Sequence, residues 1–245
     1  MPFRTLQELF LVKYPPVKEF IGMSILRQQN RLCVFGGPKM FKSLMAAQIG
    51  LCIASGVPWL GFKTVKAKVT ILQAELAERD FRDRLIPMSQ NVALPPNSLF
   101  VETDTGFKLD IPGNLTRLET HLKKEQPDVL ILDPWYKMLS VEDNKSYDKS
   151  KDIMDKLGRD YGVAIIMIHH DTVPERNSQT GQLETKFHPR GSRTVEGWFD
   201  SIIQIDGDIA TDERMLRFEM RHPTTLLRPV PVKLDRSKVW MEYNP

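Results

Sequence analysis

The 245-residue chain carries a formal net charge of +3, too small an excess to argue nucleic-acid binding by itself, so any such surface must be local. Its apolar and charged fractions, 41% and 27%, belong to an ordinary globular protein able to bury a full core as one large domain or two small ones. Its two cysteines, Cys33 and Cys52, sit in apolar runs and read as packed core thiols, which excludes a disulfide framework and favours a cytoplasmic protein; neither a signal-peptide start nor the ~18 consecutive apolar residues of a membrane span is visible.

In chain order, RTLQELFLVKYPPVKEFI has a helical apolar pattern that stops at Pro15-Pro16. Next come RLCVF, KVTILQ, SLFVE, DVLILD, GVAIIMI and DSIIQID, short apolar runs rich in β-branched residues. The first, second, fourth and fifth are nearly continuous in apolar residues, as strands buried on both faces of a parallel sheet are. Helical stretches lie between them, over Ser43–Ser55, Ala77–Gln90, Leu115–Glu125 and Tyr147–Tyr161. That alternation predicts an α/β fold with a mostly parallel central sheet and helices on both faces. Downstream, RMLRFEMRH, VPVKLD and KVWMEY predict short antiparallel strands closing the C-terminal edge. Two polar stretches, 140–150 and 172–193, leave from the carboxyl ends of expected strands. Open α/β sheets bind ligands at that edge, and a loop of more than ~12–15 residues in a compact domain is usually functional or disordered.

The turn between RLCVF and the first long helix carries most of a phosphate-binding loop. Gly36, Gly37, Pro38, Lys39, Met40 and Phe41 precede Lys42, Ser43 and Leu44 at a helix start. Backbone amides there point at an anion; Lys42 would contact the β- and γ-phosphates of a nucleotide and Ser43 would hold Mg²⁺. Gly36 and Gly37 should give the turn its freedom. Phe41, however, stands where the pattern asks for a second glycine. A phenylalanine at positive φ is strained; one near helical φ and ψ is not, and its ring could cover a phosphate or pack on a neighbour. A glycine-containing turn alone would explain the loop, but acids follow in the right order. Glu75, after VTILQ, could take a proton from an attacking water, and Asp133, closing VLILD, could bind the water shell of Mg²⁺. His169–His170 could be taken for a metal pair, yet neighbours on a strand point to opposite faces.

Taken together, GGPKMFKS, ILQAELAERDFRDRL, DVLILDPWYKML, GVAIIMIHH, RGSRTVEGWFDSIIQI and RFEMRHP resemble the RecA-type P-loop ATPase core. Within it the resemblance is to the RepA-like branch of ring-forming replicative helicases, near the DnaB and RadA groups, and it spans roughly residues 15–235. It implies one RecA-like ATPase domain over 1–245, ATP and Mg²⁺ as ligands, and head-to-tail assembly into a hexameric ring or a filament. Glu75 matches the catalytic base, one strand over from the phosphate loop, and Asp133 the magnesium carboxylate. Arg84 matches an arginine lying against the adenine, and His170 a sensor of the γ-phosphate. Arg221 matches an arginine finger donated to the neighbouring subunit, within a K-x-R pattern where this chain has Glu219 in place of lysine; Arg217 is a possible substitute.

The 1–28 segment would dock on an adjacent subunit or pack on the core. The 140–150 and 172–193 loops would face the central channel, the second offering Arg176, Lys186, Arg190 and Arg193, with His188, to a phosphodiester backbone and Phe187 to a base. The implied function is a Mg²⁺-dependent ATPase acting on single-stranded DNA as a replicative helicase, with no membrane partner. A RecA/RadA-like recombinase or annealing mediator is the alternative. A slowly hydrolysing nucleotide switch is a second one, supported by Phe41 and Glu219.

Overall fold

The protein is described by a computed structural model covering residues 3–170, 175–176, 183–184, 197–223 and 225–244. A short helix α1 (Leu6–Phe10) precedes a small hairpin, β1 (Glu19–Ile21) and β2 (Leu26–Arg27). Then come β3 (Arg31–Gly36), α2 (Lys42–Ser55), β4 (Val69–Gln73), α3 (Glu78–Ser89), β5 (Leu99–Thr103) and α4 (Pro112–Glu125). After β6 (Val129–Asp133), a 3-10 turn (Trp135–Met138) leads to α5 (Asn144–Tyr161) and β7 (Ala164–His170). A two-residue pair, β8 (Glu175–Arg176) and β9 (Leu183–Glu184), precedes β10 (Ser201–Asp206), β11 (Glu213–Met220), β12 (Val230–Asp235) and β13 (Trp240–Tyr243).

One nine-stranded sheet organises the molecule, in the order β13-β12-β11-β10-β3-β7-β6-β4-β5. From β10 to β5 the strands run parallel; β11, β12 and β13 add antiparallel at the β10 edge. This is the expected mostly parallel sheet with an antiparallel C-terminal edge. Alternate residues of β3 show why its neighbours are apolar on both sides. Leu32 and Val34 belong to the buried cluster on the face that α2 and α3 cover, whereas Cys33 and Phe35 belong to the cluster on the opposite face, with Leu118 and Leu122 of α4 and Met154 and Leu157 of α5. Every residue of α2 except Ser43 and Ser55 is buried, which explains an apolar pattern that runs right round the helix. The amide of Gln48 pins that helix to β13, donating to the Met241 carbonyl and accepting from the Met241 amide, both at 2.8 Å.

Three local expectations need correction. β4 does not lie next to β3; β7 and β6 stand between them, so Glu75 follows the third strand from the phosphate loop. Helix α5 begins at Asn144, within the stretch expected as the 140–150 loop, because Asp143 caps it by accepting from the Ser146 amide at 2.7 Å and Tyr147 and Ser150 turn into the core. The 1–28 stretch is also not uniform. Phe20, Ile21, Ile25 and Leu26 are fully buried in the β1–β2 hairpin, while Phe3, Leu6, Leu9, Phe10, Leu11, Tyr14 and Val17 are exposed.

Candidate nucleotide site

β3 ends at Gly36, in register with Ile205 of β10 on one side and His170 of β7 on the other. A Cβ on Gly36 would lie 2.4 Å from the Ile205 carbonyl oxygen. Glycine is therefore required by close approach of β10. The turn takes its freedom elsewhere: neither Gly36 nor Gly37 has positive φ, and the left-handed residues of the loop are Lys39 and Phe41, each at φ 61°. Phe41 caps α2 at ψ 23° without a side-chain hydrogen bond. An L-residue there costs about 1–2 kcal/mol. Of the two conformations open to it from sequence, Phe41 adopts the strained one, and its ring packs on a neighbour, Arg214, whose guanidinium carbon lies 4.3 Å from the ring centroid.

Lys42 is buried and donates from Nζ to the Gly37 carbonyl at 2.6 Å, folding over the loop where a phosphate would sit. Ser43 donates from Oγ to Asp133 Oδ1 at 2.9 Å, joining the start of α2 to the end of β6. Burial pushes the Asp133 carboxyl up to about 6; the Ser43 hydrogen bond opposes that rise and the Glu75 charge adds to it. Its other oxygen accepts from Gln73 Nε2 at 2.9 Å. Gln73 Oε1 in turn accepts from the amides of Glu75 at 2.5 Å and Leu76 at 3.1 Å. One fully buried amide thus ties the Asp133 carboxylate to the turn carrying Glu75. Sequence reasoning passed over Gln73, because only the adjacency of β4 and β6 gives it this task.

Around these groups opens a cleft of ≈ 450 Å³, with Pro38 to Leu44 on one wall and Glu75, Arg84, Pro134, Ile168, His170 and Leu234 completing it. The peptide between Asp133 and Pro134 is cis. Lys42, Ser43, Glu75, Arg84 and His170 are therefore gathered around one space, with Asp133 bonded directly beneath it. His170 meets the Tyr136 ring edge-on at 4.8 Å, while His169 turns to the opposite face, between Trp135 at 5.4 Å and Tyr147 at 5.5 Å. The two imidazoles do not converge. Among the described residues no cluster of three or more His, Cys, Asp and Glu could hold a metal ion. Ser43 and Asp133 offer hard oxygen donors at a helix start. They fit Mg²⁺, which commonly keeps several waters and takes one or two carboxylates plus phosphate oxygens.

Arg221 lies elsewhere. It follows Met220, which pairs with Ser201 and through it with Leu32, whereas the loop begins beside Ile205. That register puts Arg221 near the opposite edge of the sheet from its own phosphate loop, roughly 17 Å away along the strands. There its Nη2 donates to the Gly197 carbonyl at 2.5 Å, and Nη1 stands 3.4 Å from Asp200, a carboxylate shared with Arg31. Arg217 and Glu219 alternate onto the same strand face and are exposed. The side chain of Arg176 and all of Lys186, Phe187, His188, Arg190 and Arg193 lie outside the described residues.

The parallel sheet, the loop between β3 and α2, and the acid at the end of β6 define a RecA-like P-loop ATPase domain. The chain belongs to the AAA domain family AAA_25, whose model matches residues 2–175. Among the solved structures that share the fold are two from different proteins. One is a KaiC-like protein, PH0186, from Pyrococcus horikoshii OT3, at 13% identity and TM-score 0.62, covering 94% of this chain and 100% of that one. The other is the ATPase domain of a second protein, at 11% identity and TM-score 0.65, covering 89% of this chain and 86% of that one. At such identities the likeness is one of fold. No curated protein matches the chain, and among the described residues no helix is long and apolar enough to cross a membrane.

Proposed function

We propose that the chain is a Mg²⁺-dependent ATPase acting on single-stranded DNA, assembled head to tail as a ring-forming replicative helicase of the RepA-like kind. The observation that carries the reading is the convergence of Lys42, Ser43, Glu75 and His170 on one cleft with Asp133 bonded to Ser43. Lys42 leaves the Gly37 carbonyl for the β- and γ-phosphates, and the backbone N–H groups of Gly37 and of residues 39–44 wrap them, Pro38 having none to give. Ser43 and Asp133 are the residues that would hold Mg²⁺, which would supply neutralisation of charge on the phosphate oxygens. Glu75, exposed at the cleft rim, takes the proton of the attacking water, and Arg84 lies against the base. His170, in register with Gly36, senses the γ-phosphate at the root of the 172–193 loop.

Arg221 serves the cleft of the next subunit, for which its place at the far edge of the sheet is suited. A heterologous interface of this sort closes into a ring or continues as a filament. The whole chain acts as one ATPase domain, with the exposed apolar residues from Phe3 to Val17 docking on the adjacent subunit and Arg176, Lys186, Arg190 and Arg193 meeting the DNA backbone. The test is ATP turnover with and without single-stranded oligonucleotide, followed by unwinding of a forked duplex. Stimulation by DNA together with unwinding is expected. Stimulation without unwinding would move the reading to a recombinase or annealing mediator, and turnover indifferent to DNA would move it to a nucleotide switch.

A further inference from the structure

Arg214, on β11, is 3% exposed and sits behind the phosphate loop. Its Nη1 lies within hydrogen-bonding distance of the carbonyls of Asp208 (2.8 Å) and Thr211 (2.9 Å), in the turn that joins β10 to β11, and of Glu213 (2.5 Å), the first residue of β11. Its Nη2 reaches out of that turn to the Lys39 carbonyl at 3.2 Å. The guanidinium carbon lies over the Phe41 ring, 4.3 Å from its centroid. Lys39 and Phe41 are the two left-handed residues of the loop. One buried cation therefore touches both strained positions, one by a hydrogen bond and the other by stacking.

We propose that Arg214 is a positioning residue of the nucleotide site, holding Lys39 and Phe41 in the left-handed conformation that aims the loop and the start of α2 at the phosphates. Phe41 then replaces the freedom of a glycine with a fixed contact. A glycine adopts positive φ at no steric cost but is held there by nothing. A phenylalanine resists that conformation and supplies a ring face on which a cation can stack. Arginine suits the task because its planar fork stacks and donates at once; a lysine would do one or the other. The inference rests on the loop being a nucleotide site.

Calorimetric binding of a non-hydrolysable ATP analogue with Mg²⁺ tests it in the full chain. Phe41→Leu keeps an apolar side chain and every turn bond of Arg214 but removes the ring face, whereas Phe41→Tyr keeps the face. Arg214→Met removes the cation at similar length. Affinity is expected to fall roughly tenfold in Phe41→Leu and in Arg214→Met and to be retained in Phe41→Tyr. The double variant Phe41→Leu/Arg214→Met should lose no more than the weaker-binding single variant, because Arg214→Met already removes the ring contact that Phe41→Leu removes. Wild-type affinity in a folded Phe41→Leu variant, or fully additive losses in the double variant, would overturn the proposal. Should Arg214→Met not fold, the Phe41→Leu and Phe41→Tyr pair decides alone. Absence of analogue binding in the wild-type chain would remove the nucleotide-site reading itself, and this inference with it.

Discussion

Asp133 and Gln73 show how much of the site is set by contacts that single residues make out of sight of the solvent. The carboxyl of Asp133 titrates near 6 because it is buried, against an ordinary value of 3.8. Between those two values the folded chain holds a proton that the unfolded chain has released. In the metal-free protein, stability should therefore fall as pH rises through that window, by on the order of 2–3 kcal/mol from this group. Asp133→Asn should flatten the window, and denaturant unfolding of both proteins from pH 4 to pH 7 measures the difference. Identical pH profiles would mean that the carboxylate is ionised and compensated throughout. Asp133 was legible from sequence because an acid at the end of an apolar strand, after a phosphate loop, is a recognisable pattern. Gln73 was not, since a glutamine in a strand carries no such mark until a neighbouring strand brings Asp133 to its amide.

Elements were legible where burial imposes a pattern. β3, β4, β6 and β7 are near-continuous apolar runs because helices cover both faces, and helices fill the segments between them, as the alternation predicted. The order of strands was not written there. Placing Glu75 one strand from the loop overlooked that β6 and β7, later in the chain, insert between β3 and β4. The β1–β2 hairpin escaped notice because runs of two and three residues show no period, although its apolar residues are fully buried. Gly36 joins element to site most tightly, since β10 passes so near that no side chain fits. Gly36→Ala should destabilise the fold by at least roughly 1–3 kcal/mol, through displacement of β10 against β3. Chemical denaturation checks it, and an unchanged midpoint would show that the two strands separate freely.

At the scale of the whole molecule, the phosphate loop and Arg221 occupy opposite edges of one sheet, so a single chain holds the cleft and a cationic side chain far from it. Head-to-tail contact would bring the two together, and the exposed apolar residues before the hairpin offer such a contact further surface to bury. The proposed function turns on hydrolysis at the cleft completed by a neighbour's arginine. Its most direct test is phosphate release from Mg²⁺-ATP by Glu75→Gln chains, by Arg221→Ala chains, and by their equimolar mixture. Each variant alone should turn over at least ~100-fold more slowly than wild type, the lower end of what a general base contributes. The mixture should recover activity, because a cleft with Glu75 from one variant can then meet Arg221 from the other. Wild-type turnover in Glu75→Gln, or a mixture no faster than its components, would contradict it.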